Sequence, residues 1–379
     1  MINDCPKDCI ISICDISPKR LGSFEKFMIG MTEILTVNGF QHIVVFRDEP
    51  IPEVELLLLE AGAKIEIIKP SKYNIFNVVK IYTLIKIYNP IIMHLHFYPI
   101  HTIVNYLKYI CTTKIIYTGH MGGKTAKNRL HNNLRKIYYL INSILFDHGI
   151  EKIVCVSQFV RDNYFKQYCI KTKKSLVIYN GIDAKILEQS YNLDNIKQKL
   201  GLSNEFVVTC VSLRKDKGAY HLVKAAPQII AQVRNVKFVL VGSGECENHI
   251  KSKIKELNIE DYFVFTGNVP DIYEIYSISS CVVMPSLFEE ACPYTAIEAM
   301  SIGIPVIGYD SGGTKEVVVD GITGYIIKRD IDLLAQKVID LFNYGNYSSM
   351  KEKSITIFKE KFTLHQCLDN YYSLYLSIM

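Results

Sequence analysis

Met284–Glu316 reads MPSLFEEACPYTAIEAMSIGIPVIGYDSGGTKE. The run leading into it, CVVMPS (Cys281–Ser286), is apolar and β-leaning, the pattern of a buried strand. LFEEAC follows as a loop holding Glu289 and Glu290. Pro293 is placed at the first helical position, where its fixed φ suits a helix and its missing N–H costs nothing. The helix is expected through TAIEAMS, stopping at Gly303; PVIGY is the next strand, ending at Asp310, and SGGTKE opens another helix. The stretch is therefore a pair of strand–loop–helix units. Glu290 stands over a strand's C-terminal end, and Glu298 lies eight residues on, inside the helix that follows. Free amides near Cys292–Thr295 and Gly312–Thr314 are expected to face one crevice, where helix N-termini favour negative or hydroxyl-rich ligands. An ionised Glu298 can accept hydrogen bonds from both hydroxyls of a diol.

Glu290-x7-Glu298, then EAM, GIPVI, GG-x-x-E and DGITG in that order, resembles the donor-site signature of the retaining glycosyltransferases of family 4, the glycosyl transferases group 1. The resemblance implies an α/β GT-B fold: two Rossmann-like, doubly wound domains facing each other across a cleft. It implies transfer of a hexose-type sugar, with retention, from a UDP- or GDP-linked donor to an acceptor hydroxyl, with no metal required. Glu290 would contact the donor sugar and Glu298 the ribose, with Ala291, Cys292, Pro293 and Tyr294 between them in the donor-binding set. No His stands near Cys292 in sequence to activate its thiol, so it is not read as a nucleophile.

Upstream, SLRKDKG (Ser212–Gly218) follows a strand and opens a helix. Lys217 and Arg214 resemble the family's diphosphate-gripping pair. The family's usual Arg stands five residues before the Lys, and here that position is Ser212. VLVGSGECE resembles the next family turn but is too generic to place a ligand. The backbone of Gly267, Asn268 and Val269 is expected to edge the nucleotide base.

The first half alternates short strands with helical stretches, which argues for a parallel sheet covered on both faces. Strands are expected at Ile10–Cys14, His42–Phe46, Lys64–Ile68, Ile91–His96, Lys114–Thr118, Ile153–Val156 and Leu176–Tyr179. Helices are expected near Phe24–Val37, Val54–Ala61, Phe76–Tyr88, Ile100–Ile110, Leu130–Phe146 and Gln158–Tyr168. Gly22-Ser23 resembles the family's GG-x-E loop, whose amides would face the donor diphosphate. His94 and His96 are read as facing opposite sides of the sheet, and His96 and His101 as structural. His120, just past its strand, matches the His that family members place near the donor sugar and acceptor. In the second half, strands are expected at Phe206–Val211, Val236–Val241, Tyr262–Phe265, Cys281–Pro285, Pro305–Tyr309 and Tyr325–Ile327. The domains expected are 1–183 (acceptor side), a polar linker 184–200, a donor domain 201–355, and a terminal helix 356–379 crossing back to the first domain.

Composition narrows the class. The chain has 379 residues, 49% of them hydrophobic and 21% charged, enough to bury more than one core. No apolar run is long enough to span a bilayer, and Asp4 and Asp8 stand before a very short apolar run, so no signal peptide is read. The 11 cysteines show no C-x-x-C pairing or His partners, which argues for reduced thiols and no structural zinc. The net charge of +5 is uneven: residues 67–146 hold 11 Lys or Arg, 12 Tyr or Phe and no Asp or Glu. That suits an anionic membrane surface or a phosphorylated acceptor; equally, lysines snorkel along apolar helices while tyrosines fill a core. Lys124, Lys127 and Arg129, on a basic amphipathic stretch after Gly122-Gly123, are the acceptor-side or membrane-facing candidates. Partners expected are the nucleotide-sugar, a glycan or lipid-linked acceptor, and an anionic membrane; no nucleic-acid motif appears. The location expected is cytoplasmic, on the inner membrane face. A hydrolase using both glutamates is disfavoured, because a helix-borne Glu298 makes a poor acid/base partner. A nucleotide-sugar epimerase and a catalytically idle sugar-nucleotide binder remain as alternatives.

Overall fold

The computed structural model describes residues 8–69, 75–98, 107, 110–121, 143, 149–164 and 172–379. They fall into two compact units, one containing the described residues up to Gly181 together with Leu364–Met379, the other Ile182–Thr363. Lys124, Lys127, Arg129 and His101 lie outside the described residues, as do most of the stretches Ile100–Ile110 and Leu130–Phe146.

The first unit is built on β1 (Cys9–Cys14), β2 (Gln41–Phe46), β3 (Ala63–Ile67), β4 (Ile92–His96), β5 (Lys114–Gly119), β6 (Lys152–Cys155) and β7 (Ser175–Val177). All pair in parallel, in the order β3-β2-β1-β4-β5-β6-β7. Its helices include α1 (Ser23–Val37), α2 (Pro52–Glu60) and α3 (Ile75–Tyr88). Strands such as β1 are buried along their whole length, because a parallel sheet is covered on both faces. The helix expected at Gln158–Tyr168 begins at Gln158 and takes a π-helical turn at Val160–Tyr164, and residues 165–168 lie outside the described residues. Ser157 caps it, its Oγ accepting from the Val160 amide at 3.2 Å.

The second unit holds β8 (Phe206–Val211), β9 (Val236–Val241), β10 (Phe263–Gly267), β11 (Cys281–Met284), β12 (Val306–Tyr309) and β13 (Gly324–Ile327), again all parallel, in the order β10-β9-β8-β11-β12-β13. Its helices are α4 (Leu193–Lys199), α5 (Ala219–Gln232), α6 (Glu247–Glu256), α7 (Ile272–Ser277), α8 (Tyr294–Ser301), α9 (Thr314–Val317), α10 (Ile331–Tyr344) and α11 (Tyr347–Lys361). Residues 184–200 are no free linker. Ile186 and Ile196 are buried, and Ile196 joins an apolar cluster with Leu202, Val207, Val239 and Ile275. Burying those apolar side chains is what recruits the segment into the second unit.

The boundary expected at 355/356 falls inside α11. The chain leaves the second unit only before α12 (Leu364–Ile378), which packs into the core of the first unit. Cys367, Leu368, Tyr371, Leu374 and Tyr375 are buried there against β1, β2 and α1 residues including Ile10, Val44, Phe27 and Met31. Gly30 lets α1 and α12 come close, since a methyl there would stand 2.7 Å from Leu368 Cδ1. Polar ties reinforce the contact: His94 Nδ1 lies 2.6 Å from Tyr375 Oη, and Thr118 Oγ1 lies 3.3 Å from Tyr371 Oη.

Candidate functional site

In each sheet the strand order reverses once, between β1 and β4 and between β8 and β11. Loops leaving the C-terminal ends of such strand pairs diverge and open a crevice, the usual ligand position in doubly wound sheets. Most of the residues singled out above lie on these loops.

In the second unit, the loop after β8 brings Lys217 against the loop after β11. Lys217 Nζ donates to Glu290 Oε1 at 2.8 Å, and Ser286 Oγ donates to the same oxygen at 2.6 Å. Lys217 Nζ also stands 4.9 Å from the Phe288 ring centroid, a cation–π distance. The Glu290 side chain is 6% exposed and the Lys217 side chain 23%, so the carboxylate is enclosed while the ammonium keeps an open side.

Glycines force the two loops together. A Cβ on Gly218, at φ +73°, would sit 2.0 Å from Pro285 O; one on Gly312, at φ +59°, would sit 2.2 Å from Glu290 O. Only glycine tolerates both that conformation and that approach. The amides near Gly312–Thr314 were expected to be free for a ligand, and two of them are not. Gly313 N donates to Glu290 O at 2.7 Å, and Thr314 N to Ser311 O at 3.2 Å. The glycine pair cradles the Glu290 backbone instead, because its short turn reaches that carbonyl before any ligand does. Pro293 is likewise the N-cap of α8 and not its first residue. Its ψ of 114° is extended, and its carbonyl accepts from the amides of Ala296 and Ile297. Ala291, Cys292 and Pro293 are buried; Tyr294 begins the helix, half-buried.

Arg214 turns onto Asp216, its Nε and Nη2 each 3.0 Å from a carboxylate oxygen, and the pair is well exposed. Ser212 adopts φ +76°, a left-handed conformation uncommon outside glycine and costly for an L-residue. The loop after β9 backs it: Leu213 N donates to Ser243 O at 3.3 Å, and a Cβ on Gly244 would lie 2.2 Å from Leu213 C. Gly267 accepts from Gly242 N at 2.7 Å, and Ser243 Oγ donates to Asn268 Oδ1 at 3.4 Å. The proposed base-edge loop thus adjoins Ser212, but Val269 packs into the Ile196 cluster.

Glu298 is half-buried and accepts from Tyr276 Oη at 3.2 Å. Burial pushes the hydroxyls of Tyr276 and Tyr273 up, and the nearby Glu298 charge adds to this, so both stay protonated. The sequence reading passed over these tyrosines, although their i, i+3 spacing on α7 puts both on one helix face. It also passed over Arg329, which donates from Nη2 to Glu289 Oε1 at 2.7 Å and from Nη1 to Leu287 O at 3.2 Å, pinning the glutamate loop. Nothing local in the sequence pairs residues forty positions apart.

In the first unit, Gly22 is the N-cap of α1 and Ser23 its first residue. The Gly22 amide, expected to face phosphate, donates to Glu25 Oε2 at 3.1 Å. Glu25 is buried, and that burial raises its carboxyl pKa. His94 and His96 do not face opposite sides: their ring centroids lie 3.8 Å apart. Alternation sends successive residues to opposite faces, so positions i and i+2 share one. His96 Nδ1 lies 3.1 Å from His120 Nε2, and Phe97 stacks on the His120 ring at 4.1 Å and 15°. Burial lowers the His120 pKa to about 3, so the ring is neutral at ordinary pH. Among the described residues no group of three or more His, Cys, Asp or Glu could share a metal ion, and no helix is long and apolar enough to cross a membrane. No disulfide joins the described cysteines.

The family profile for glycosyl transferases group 1 matches residues 192–355, and that for glycosyltransferase family 4 matches residues 25–186. The chain belongs to the group 1, family 4 glycosyltransferases. The glycosyltransferase is 23% identical over 339 residues to an uncharacterised glycosyltransferase of Methanocaldococcus jannaschii, with 84% of each chain covered. It is 31% identical over 186 residues to the lipopolysaccharide 1,2-N-acetylglucosaminetransferase of Salmonella typhimurium, spanning 46% of this chain and 48% of that one. The crystal structure of Anabaena HepE with UDP and glucose matches with a TM-score of 0.80 at 18% identity, over 98% of this chain and all (100%) of that one. The fold of the glycosyltransferase is therefore GT-B, with two Rossmann-like units.

Proposed function

We propose that the glycosyltransferase moves a hexose-type sugar, with retention, from a nucleoside diphosphate sugar to an acceptor hydroxyl on a cell-surface polysaccharide or glycolipid precursor. The observation that carries this reading is the Lys217–Glu290 contact at the β8/β11 crevice, with Glu298 on the helix just beyond. A diphosphate placed there would meet the open side of the Lys217 ammonium. Cleaving the sugar–phosphate bond builds negative charge on the departing phosphate, and a preorganised cation stabilises that charge most where it develops. Arg214, released from its exposed partner Asp216, would add a second cation, so the reading calls for no metal. Glu298, oriented by Tyr276, would take the ribose diol, and Glu290 the donor sugar hydroxyls. The departing phosphate oxygen would accept the acceptor's proton, so no side-chain base is assigned.

Two relatives support the substrate class. The Salmonella protein named above is described as a lipopolysaccharide N-acetylglucosaminetransferase, and HepE is described in complex with UDP and glucose. Whether uracil or guanine is the base, and the cytoplasmic membrane face as the working site, belong to the proposal.

The test uses a panel of UDP- and GDP-sugars with lipid-linked and soluble glycan acceptors, following nucleoside diphosphate release. Release that requires an acceptor supports transfer. Sugar interconversion without release would make the protein an epimerase, and binding without either would make it an idle binder.

A further inference from the structure

We infer that His96 is a positioning residue that locks His120 as its Nδ1–H tautomer, so that His120 offers a hydrogen-bond donor at the edge of the first sheet and cannot serve there as a base. The catalytic consequence rests on the transfer reading; the tautomer does not.

His96 ends β4 and is fully buried. Its Nδ1 lies 3.1 Å from His120 Nε2, and a single proton can lie between the two nitrogens. If His120 supplied that proton, neutral His96 would carry its own on Nε2. That atom is buried and has no partner among the described residues. If His96 supplies it, only a bare lone pair is left unpaired there. A buried N–H without an acceptor is rarer and costlier than an acceptor without a donor. His94, whose ring lies against His96, offers no rescue, because its nitrogens are taken by Tyr375 Oη and Thr118 Oγ1, each at 2.6 Å. Burial holds His96 well below the ordinary histidine pKa, so a doubly protonated ring is not available either.

With Nε2 accepting, a neutral His120 must carry its proton on Nδ1. No described residue takes that proton. The ring plane is fixed from two sides, by Phe97 stacked at 15° and by the Phe24 edge at 5.5 Å and 85°. Phe97 holds φ +56°, an expensive conformation for an aromatic residue, which places its ring flat on His120. The free Nδ1–H therefore suits an oxygen acceptor: a sugar hydroxyl or ring oxygen, or a phosphate.

The decisive measurement is the imidazole ¹⁵N spectrum of the intact protein labelled at histidine, with His120 assigned through His120→Gln. We expect a protonated Nδ1 and a bare Nε2 for His120, and a protonated Nδ1 for His96. A protonated Nε2 on His120 overturns the inference, whatever the activity. In turnover, His96→Leu is expected to lower kcat about tenfold, the worth of one hydrogen bond, with little change in donor KM. His96→Asn, whose amide nitrogen reaches the place of Nδ1, restores most of that loss. Equal loss in both variants assigns His96 a packing role only. If the tautomers are as stated but no sugar-nucleotide is turned over, the transfer reading fails alone.

Discussion

On the proposed transfer reading Lys217 and Glu298 carry different kinds of work, and single substitutions separate them. Lys217→Ala removes a preorganised cation from a developing charge and is expected to lower kcat by about 10²–10³, with donor KM changed little. Glu298→Ala would remove the proposed ground-state grip on the ribose and is expected chiefly to raise donor KM. Initial-rate kinetics over a donor series check both; a lysine variant within about tenfold of the parent would remove Lys217 from the charge-stabilising role. The neighbouring Ser212, at φ +76°, stands where the family's arginine would be. A serine brings no positive charge there, so on the proposed reading phosphate binding would fall to Lys217 and, secondarily, to Arg214. The pair Lys217 and Glu290 was legible as motif letters. That Ser286 shares the same carboxylate oxygen was not, because a serine in a loop has no pattern of its own.

At the scale of elements, the glutamate loop is held by backbone, and α12 is held by buried hydroxyls. Gly312→Ala would set a Cβ 2.2 Å from Glu290 O in a left-handed conformation. We expect it to destabilise the second unit by about 1–3 kcal/mol and to displace Glu290, seen as a lowered urea midpoint together with lost activity. An unchanged midpoint would mean the loop is not seated on that turn. Tyr375→Phe removes the hydroxyl 2.6 Å from His94 Nδ1 and leaves a buried nitrogen without its partner. Its expected cost is about 1–3 kcal/mol in the first unit, read by equilibrium urea unfolding. Periodicity placed the strand ends within two residues of those observed, since apolar runs bounded by turns are a local signal. It missed that 184–200 packs as part of the second unit, because burial of Ile196 depends on Val207 and Val239, which come later in the chain.

The two units differ in how they should meet acid. His42, His94 and His96 are fully buried in the first unit, and burial holds each neutral, His42 down to about 3. The unfolded chain takes up protons near the ordinary histidine pKa while the folded unit does not, so stability is complete above that value and falls as pH drops towards 3. The loss is about 1.4 kcal/mol per pH unit for each histidine. Asp15 and Glu25, whose carboxyls burial raises, act in the opposite sense near their own values and offset part of it. In the second unit, His221 is lowered but half-buried. Calorimetric scans at stepped pH, with the first transition assigned by limited proteolysis, should show the first unit melting earlier as pH falls below about 6. Equal shifts of both units would contradict this.

From the sequence alone came the alternation of strand and helix, the acidic pair eight apart, Lys217, and with them the family and its two Rossmann-like units. These are local signals: hydrophobic period, turn chemistry and short motifs survive without any knowledge of neighbours. Only the tertiary structure decided that the Gly313 amide is taken by Glu290 O, that Lys217 meets Glu290, and that His96 reaches His120; the shared face of His94 and His96 follows from strand alternation alone. Those three contacts bring together atoms from different strands or loops at hydrogen-bond distance, and no stretch of chain encodes such a meeting by itself.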